Sequence, residues 1–237
     1  MEHANSFGSA ADLYDAHRPG YPADAVRWAL GAGPLRVADL HAGTGILSRL
    51  LRDLGHRVVA VEPDDRMRDR LTRTSPGVEA LDGTAEAVPL PDASVDAVVA
   101  GQAYHWFDPE RAHPEIARVL RPGGVFAALW NDADVEAPWT LRFVEIVDGT
   151  PPDIEVVDFG PLFTPARVGE FRHAMPMSPE GLLDLTRTRS PYLVASPSER
   201  ETLLDAVRRL MTESGLAGRF PLPLVTRVHR ASVVPGG

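Results

Sequence analysis

Two acids and a glycine turn carry the first chemical information in this chain. Asp39 lies near the end of a short apolar run, Val37-Ala38-Asp39-Leu40, and His41-Ala42-Gly43-Thr44-Gly45 follows it. That order reads as a β-strand opening into a turn where a nucleotide-like cofactor can touch backbone. Glu62 closes a second apolar run, where a carboxylate either serves a ligand or satisfies the helix that follows. Tyr104, His105 and Trp106 place a hydroxyl, a titratable ring and an aromatic wall in consecutive positions. His105 is the candidate base, able to take a proton from an oxygen or nitrogen. His41 is a second candidate: at the start of a helix, its imidazole can bind an anionic leaving group or act as a base. Its bland alternative is a ring turned outward.

The elements that must position these groups alternate in type. Arg36 to Leu40, Arg57 to Val61, Val78 to Leu81, Val95 to Ala100 and Val125 to Trp130 read as strands, in the order β-α-β-α-β-β-α-β. Ile46, Leu47, Leu50, Leu51 and Leu54 recur at helical spacing, and Gly55 offers a stop. Glu62-Pro63-Asp64-Asp65 reads as a helix start, and Asp108 with Pro109 as another, with Pro114 expected to kink that helix or delay it to Glu115. Arg121-Pro122-Gly123-Gly124 reads as a turn. Ser196-Pro197-Ser198-Glu199 is a capping-box start, and a Pro-rich Phe220 to Leu224 precedes a last strand, Val225 to His229. One domain is expected over 1–237: an N-terminal cap (1–35), a core (36–131), a covering segment (132–215), and a final strand with a loose tail (216–237).

Composition narrows the class. A net charge of −9 opposes nucleic-acid and anionic-membrane partners and favours a small-molecule substrate. All 24 basic residues are Arg, which reads as codon pressure in a GC-rich bacterium and removes any Schiff-base lysine. With no cysteine there are no disulfides, thiol nucleophiles or thiolate metal sites. The remaining histidines, His3, His17, His56, His113, His173 and His229, show no metal-ligand spacing, so no metal is expected. Neither a secretory signal nor a membrane span is apparent, and a cytoplasmic location is expected. Trp28, Trp130 and Trp139 read as packing residues, and Asp132 and Asp134 as solvated loop acids.

The joint order of these segments resembles the class I S-adenosylmethionine (SAM) dependent methyltransferases, in the small-molecule branch labelled methyltransferase domain 11, over nearly the whole chain. A Rossmann dinucleotide reading of Gly43 to Ser48 leaves the later segments unexplained. The resemblance implies a Rossmann-like α/β fold, with a seven-stranded, mostly parallel sheet and helices on both faces, and SAM as cofactor. Asp39, His41, Ala42, Gly43 and Gly45 match the family's acid and Gly-x-Gly-x-Gly turn, with His41 in place of its first glycine. Glu62, followed by Pro63 and Met67, stands where the family grips the ribose hydroxyls, and Gly83, Thr84, Ala85 and Glu86 stand near the adenine. Gln102 opens the segment after the fourth strand, and Tyr14 and Arg18 resemble an N-terminal cap over the cofactor.

Two functions follow. The first is methyl transfer from SAM to a small molecule of bacterial secondary metabolism, such as antibiotic biosynthesis, with His105, His41 and Tyr104 as catalytic candidates. The second is a repurposed enzyme in which His41 has ended productive SAM binding and the pocket performs elimination, ring closure or rearrangement. A homo-oligomer or a pathway partner protein fits either, and a non-catalytic partner role is a variant of the second.

Overall fold

The computed structural model describes residues 11–149 and 157–234, with side chains from residue 14. The expected loose tail at 235–237, His3, the first ten residues of the expected cap and residues 150–156 of the covering segment lie outside the described residues.

The chain runs α1 (Ala11–His17), α2 (Ala23–Leu30), β1 (Arg36–Leu40), α3 (Ile46–Asp53), β2 (Arg57–Val61), α4 (Asp65–Thr74), β3 (Glu79–Leu81) and β4 (Val95–Gly101). A 3-10 turn at Tyr104–Trp106 leads to α5 (Pro109–Val119), β5 (Leu120–Ala133), α6 (Pro138–Asp148) and β6 (Arg167–Met177). Then come α7 (Pro179–Arg187), α8 (Ser190–Val194), α9 (Pro197–Glu213) and β7 (Phe220–Ser232). The seven strands are ordered β3-β2-β1-β4-β5-β7-β6. Pairs β1 with β2, β1 with β4, β2 with β3 and β4 with β5 are parallel. The Asp134 amide donates to the Pro223 carbonyl and that of Val233 to Gly124, so partner numbers run in opposite directions and β5 and β7 are antiparallel.

Alternation along the central strands decides which face each residue serves. Ala38 and Leu40 of β1 join Val98 and Ala100 of β4 in a core with Ala112, Ile116 and Val119 of α5. Val37, Ala97 and Val99 face the other way, onto Ala25, Val26 and Ala29 of α2 and Leu47 and Leu51 of α3. Asp39 shares that second parity, which brings it to Ser48 on α3. By their contacts the described residues form two compact units, one of 11–19, 131–149 and 172–225, the other of 20–130, 157–171 and 226–234. The first has its own core of Phe143, Val147, Leu182, Leu185, Val207, Leu210 and Leu222.

Several expectations need correction. Helix α5 starts at Pro109, capped by the Asp108 carboxylate, and runs through Pro114, so it is not delayed to Glu115. The Arg121 to Gly124 turn is a bulge inside β5: Leu120 pairs with Val95 and Val125 with Ala97, so four residues loop out opposite Asp96, and Arg121 reaches back to its carboxylate at 2.5 Å. The Pro-rich Phe220 to Leu224 belongs to β7, whose Phe220, Leu222 and Leu224 are buried at alternate positions. Strand β6 was not anticipated. Asp134 is no solvated acid; it is 15% exposed and accepts from the Arg172 guanidinium at 3.0 Å, and Asp132 lies within β5. Among the described residues no helix is long and apolar enough to cross a membrane.

Phe126 of β5 is fully buried and packs on Tyr104 and Phe159 with ring centroids 5.9 and 4.5 Å away. Phe126→Ala is expected to cost about 3–5 kcal/mol in urea unfolding.

Candidate functional site

Parallel strands deliver their C-terminal ends to one edge, and β1 and β2 bring Asp39 and Glu62 there. Glu62 is held by two amides: Gly43 N–H donates to its Oε2 at 2.8 Å and Asp64 N–H to its Oε1 at 2.8 Å. One carboxylate thus fastens the turn after β1 to the start of α4. Each of its oxygens keeps a lone pair for a further donor. Asp39 accepts from the Ser48 hydroxyl through Oδ2 at 2.5 Å, while its Oδ1 is buried without a partner among the described residues.

Both acids are held near neutrality. Burial pushes Asp39 up to about 7, opposed by the bonds from Ser48 and assisted by the charge of Glu62. Burial likewise pushes Glu62 up to about 7 against the pull of the Asp64 and Gly43 amides. The turn between them is left-handed, with φ of 58° at Gly43 and 84° at Gly45. A Cβ at Gly45 would lie 2.7 Å from the Ser75 hydroxyl, whereas beside Gly43 there is open space for 4 Å. Ala42 donates to the Val61 carbonyl, closing the turn onto β2.

His41 adopts φ 52°, a left-handed conformation that costs a residue with a Cβ roughly 1 kcal/mol or more. Its ring does not turn outward. It rests on Phe107 at 5.0 Å and 55°, and its Nε2 is buried without a partner. Burial lowers its pKa below 6.5, partly offset by attraction to Glu86, so the ring is neutral at physiological pH. Thr44 Oγ1 is also buried and unpartnered, a feature that sequence reasoning passed over.

The remaining residues of the expected cofactor set divide. Pro63 and the buried Met67 follow Glu62 at the start of α4. Gly83 is backed by Pro89 and Val61, Ala85 is fully buried, and Thr84 bridges to Ala87. The Glu86 carboxylate accepts from Asp108 N–H at 2.9 Å, tying that turn to α5. Burial pushes Glu86 up, but the bonds from Asp108 and Thr84 prevail and hold it below its ordinary value. Gln102 takes φ 53° and donates its amide to Leu129. Tyr14 and Arg18 belong to the other compact unit. There the Arg18 guanidinium lies 4.8 Å from the Tyr14 ring centroid and donates to the Thr188 hydroxyl at 3.0 Å and its carbonyl at 2.7 Å.

Past β4 lie the catalytic candidates Tyr104 and His105. Trp130 Nε1–H donates to His105 Nδ1 at 3.4 Å. Indole has only a donor, so a neutral His105 in this bond carries its proton on Nε2. Although His105 is an exposed residue, desolvation of its ring by the neighbouring side chains lowers its pKa. The Tyr104 hydroxyl is 3.0 Å from His113 Nε2, and the two rings are stacked within 8°. Burial, reinforced by the charge of Asp158, raises Tyr104 to about 12. Tyr104 is therefore a protonated wall residue, surrounded by Phe107, Phe126, Trp130 and Phe159. Sequence reasoning missed Ser48, Phe107 and His113, because each acts through a partner 9 to 66 residues away. Among the described residues no group of three His, Cys, Asp or Glu is placed to hold a metal.

Comparison with known proteins agrees with this geometry. A family described as a methyltransferase domain matches residues 38–128. An uncharacterized methyltransferase of Mycobacterium tuberculosis is 44% identical over 234 residues, 96% of each chain. The malonyl-[acyl-carrier protein] O-methyltransferase of Serratia marcescens is 35% identical over 127 residues, 52% of this chain and 49% of that one. Among solved structures, one described as a type II methyltransferase from Anaeromyxobacter dehalogenans superposes with TM-score 0.68 and 28% identity, covering 92% of this chain and 99% of that one.

The two acids make stability depend on pH. Their folded values of about 7 lie above the ordinary 3.8 and 4.5, so the folded state binds more protons between those values. Their contribution is full below about pH 4 and is lost as pH rises through 7. Chemical unfolding of ligand-free protein between about pH 5 and 8 is expected to show this loss, and Asp39→Asn to reduce it by on the order of 1–3 kcal/mol.

Proposed function

Because the chain belongs to the class I SAM-dependent methyltransferases, with SAM as its cofactor, we propose that it methylates an oxygen, nitrogen or carbon of a small-molecule acceptor in bacterial secondary metabolism. The observation that carries the cofactor half is the set of polar atoms at the β1 end. Asp39 Oδ1, His41 Nε2 and Thr44 Oγ1 are buried with no partner, and Glu62 has one lone pair left on each oxygen. Leaving such groups unpaired costs about 1–3 kcal/mol each, so a ligand that completes them is strongly favoured.

The residues fit SAM. Glu62 would take the ribose diol, one hydroxyl on each oxygen, and Asp39 the ammonium of the methionine end. SAM supplies an electrophilic methyl group on a sulfonium, and alignment of an acceptor is then the main task of the chain. His105 Nε2–H is a positioning donor for the acceptor, and the indole of Trp106, 39% exposed and 4.7 Å from the His105 ring, offers it an aromatic face. Tyr104, held by His113, gives the wall behind them.

The repurposed-enzyme reading requires the His41 ring to fill the cofactor cradle. Its place against Phe107 and the open space beside Gly43 favour methyl transfer instead. The pathway half rests on the all-arginine composition and the negative charge, together with the malonyl-[acyl-carrier protein] O-methyltransferases among its relatives.

Calorimetry with SAM and S-adenosylhomocysteine (SAH) is expected to give dissociation constants on the order of 1–100 μM. Labelled methyl from SAM, offered with a bacterial metabolite extract, should enter material that passes an ultrafiltration membrane. Label confined to protein or nucleic acid contradicts the acceptor class. Once an acceptor is known, His105→Phe should lower kcat/KM about tenfold by a similar factor across about pH 6–9, because a donor is lost rather than a base. A loss confined to one limb of that profile would restore the base.

A further inference from the structure

His41 is a residue of the turn to which the cofactor reading gives no partner on the ligand. Three of the backbone donors beside it are already engaged inside the protein: Ala42 N–H to Val61 O at 3.2 Å, Gly43 N–H to Glu62 Oε2 at 2.8 Å and Gly45 N–H to Ala42 O at 2.9 Å. Among the described residues two side-chain atoms of the turn that can donate, His41 Nε2 and Thr44 Oγ1, are buried without a partner, and an anionic group entering the turn can meet them there. The third unpartnered atom, Asp39 Oδ1, is a carboxylate oxygen and takes a cation. Over six consecutive residues the chain thus leaves open one site for a positive group and two for a negative one. An α-amino acid end carries both.

We propose that His41 Nε2–H donates a hydrogen bond to the α-carboxylate of the methionine end of SAM, while Asp39 Oδ1 takes its α-ammonium. This assignment rests on the cofactor reading above. The imidazole is suited to it. Contact with Phe107 and the fixed left-handed backbone define where the ring edge lies. A neutral ring has one N–H, and a carboxylate partner selects the Nε2–H tautomer. That neutral state also spares the sulfonium the repulsion of an imidazolium. His41 then becomes a specificity residue for the amino-acid end of the ligand, in a position where its backbone conformation would favour glycine.

The test compares two ligands by calorimetry: SAH, and 5′-methylthioadenosine, which keeps the nucleoside and thioether and lacks the amino-acid end. Glycine is at home in the left-handed conformation, so His41→Gly should fold. It is expected to weaken SAH about 10- to 100-fold and leave methylthioadenosine unchanged, the loss set by a hydrogen bond to a charged group. His41→Asn, which tolerates that backbone and keeps an N–H donor, should recover part of the SAH affinity. If His41→Gly binds SAH as tightly as the wild type, with the preference over methylthioadenosine intact, this assignment alone is overturned. A wild type that binds neither ligand overturns the cofactor reading and the assignment with it.

Discussion

The site depends on one constraint: two carboxylates are held at the ends of adjacent parallel strands, inside the protein, by backbone amides and one hydroxyl. Glu62 accepts Gly43 N–H and Asp64 N–H, so removing its carboxyl group would release the β1–α3 turn and the start of α4 together. Asp39 is turned by strand alternation onto the α3 face, where Ser48 fixes one oxygen and leaves the other unpaired. Burying a carboxylate is costly in a medium of low polarity, and that cost raises the pKa of both acids to about 7. In the proposed reading a ligand with a cationic end and a vicinal diol would reverse the balance. Ionisation, turn geometry and cofactor choice are therefore a single problem here.

The other half of the site is built from rings rather than charges. Phe126, Phe159 and Phe163 form a packed base, and Tyr104 stands on it with its hydroxyl tied to His113. Trp130 spans from the Tyr104 ring to His229 and fixes the proton position on His105. Such an arrangement is rigid and poor in available bases. It suits a reaction in which an activated methyl group needs an aligned acceptor more than it needs proton removal.

Much of the central fold was legible in the sequence, because β1 and β2 are apolar runs bounded by Arg36 and Arg57 and end at a turn or an acid. Strand β6 was not, although its inward positions alternate: they are Gly169, Phe171, His173, Met175 and Met177, only one of which favours strands. In β7, Pro221 and Pro223 interrupt the same signal. Within the site, Asp39 and Glu62 were legible as acids at strand ends. The proton position on His105 was not, since it is set by Trp130 from 25 residues away. His41 was visible as a departure from the glycine pattern, but the direction of its ring depends on Phe107, which the spacing does not reveal.

The ionisation of Asp39 and Glu62, followed by carbon-detected NMR of their side-chain carboxyl groups with and without SAH, tests the central claim most directly. In the ligand-free protein both groups are expected to titrate near 7, and saturation with SAH to bring both down into or below the ordinary carboxylate range. Two groups that titrate near their ordinary 3.8 and 4.5 in the free protein, and do not move when SAH is added, would contradict the account.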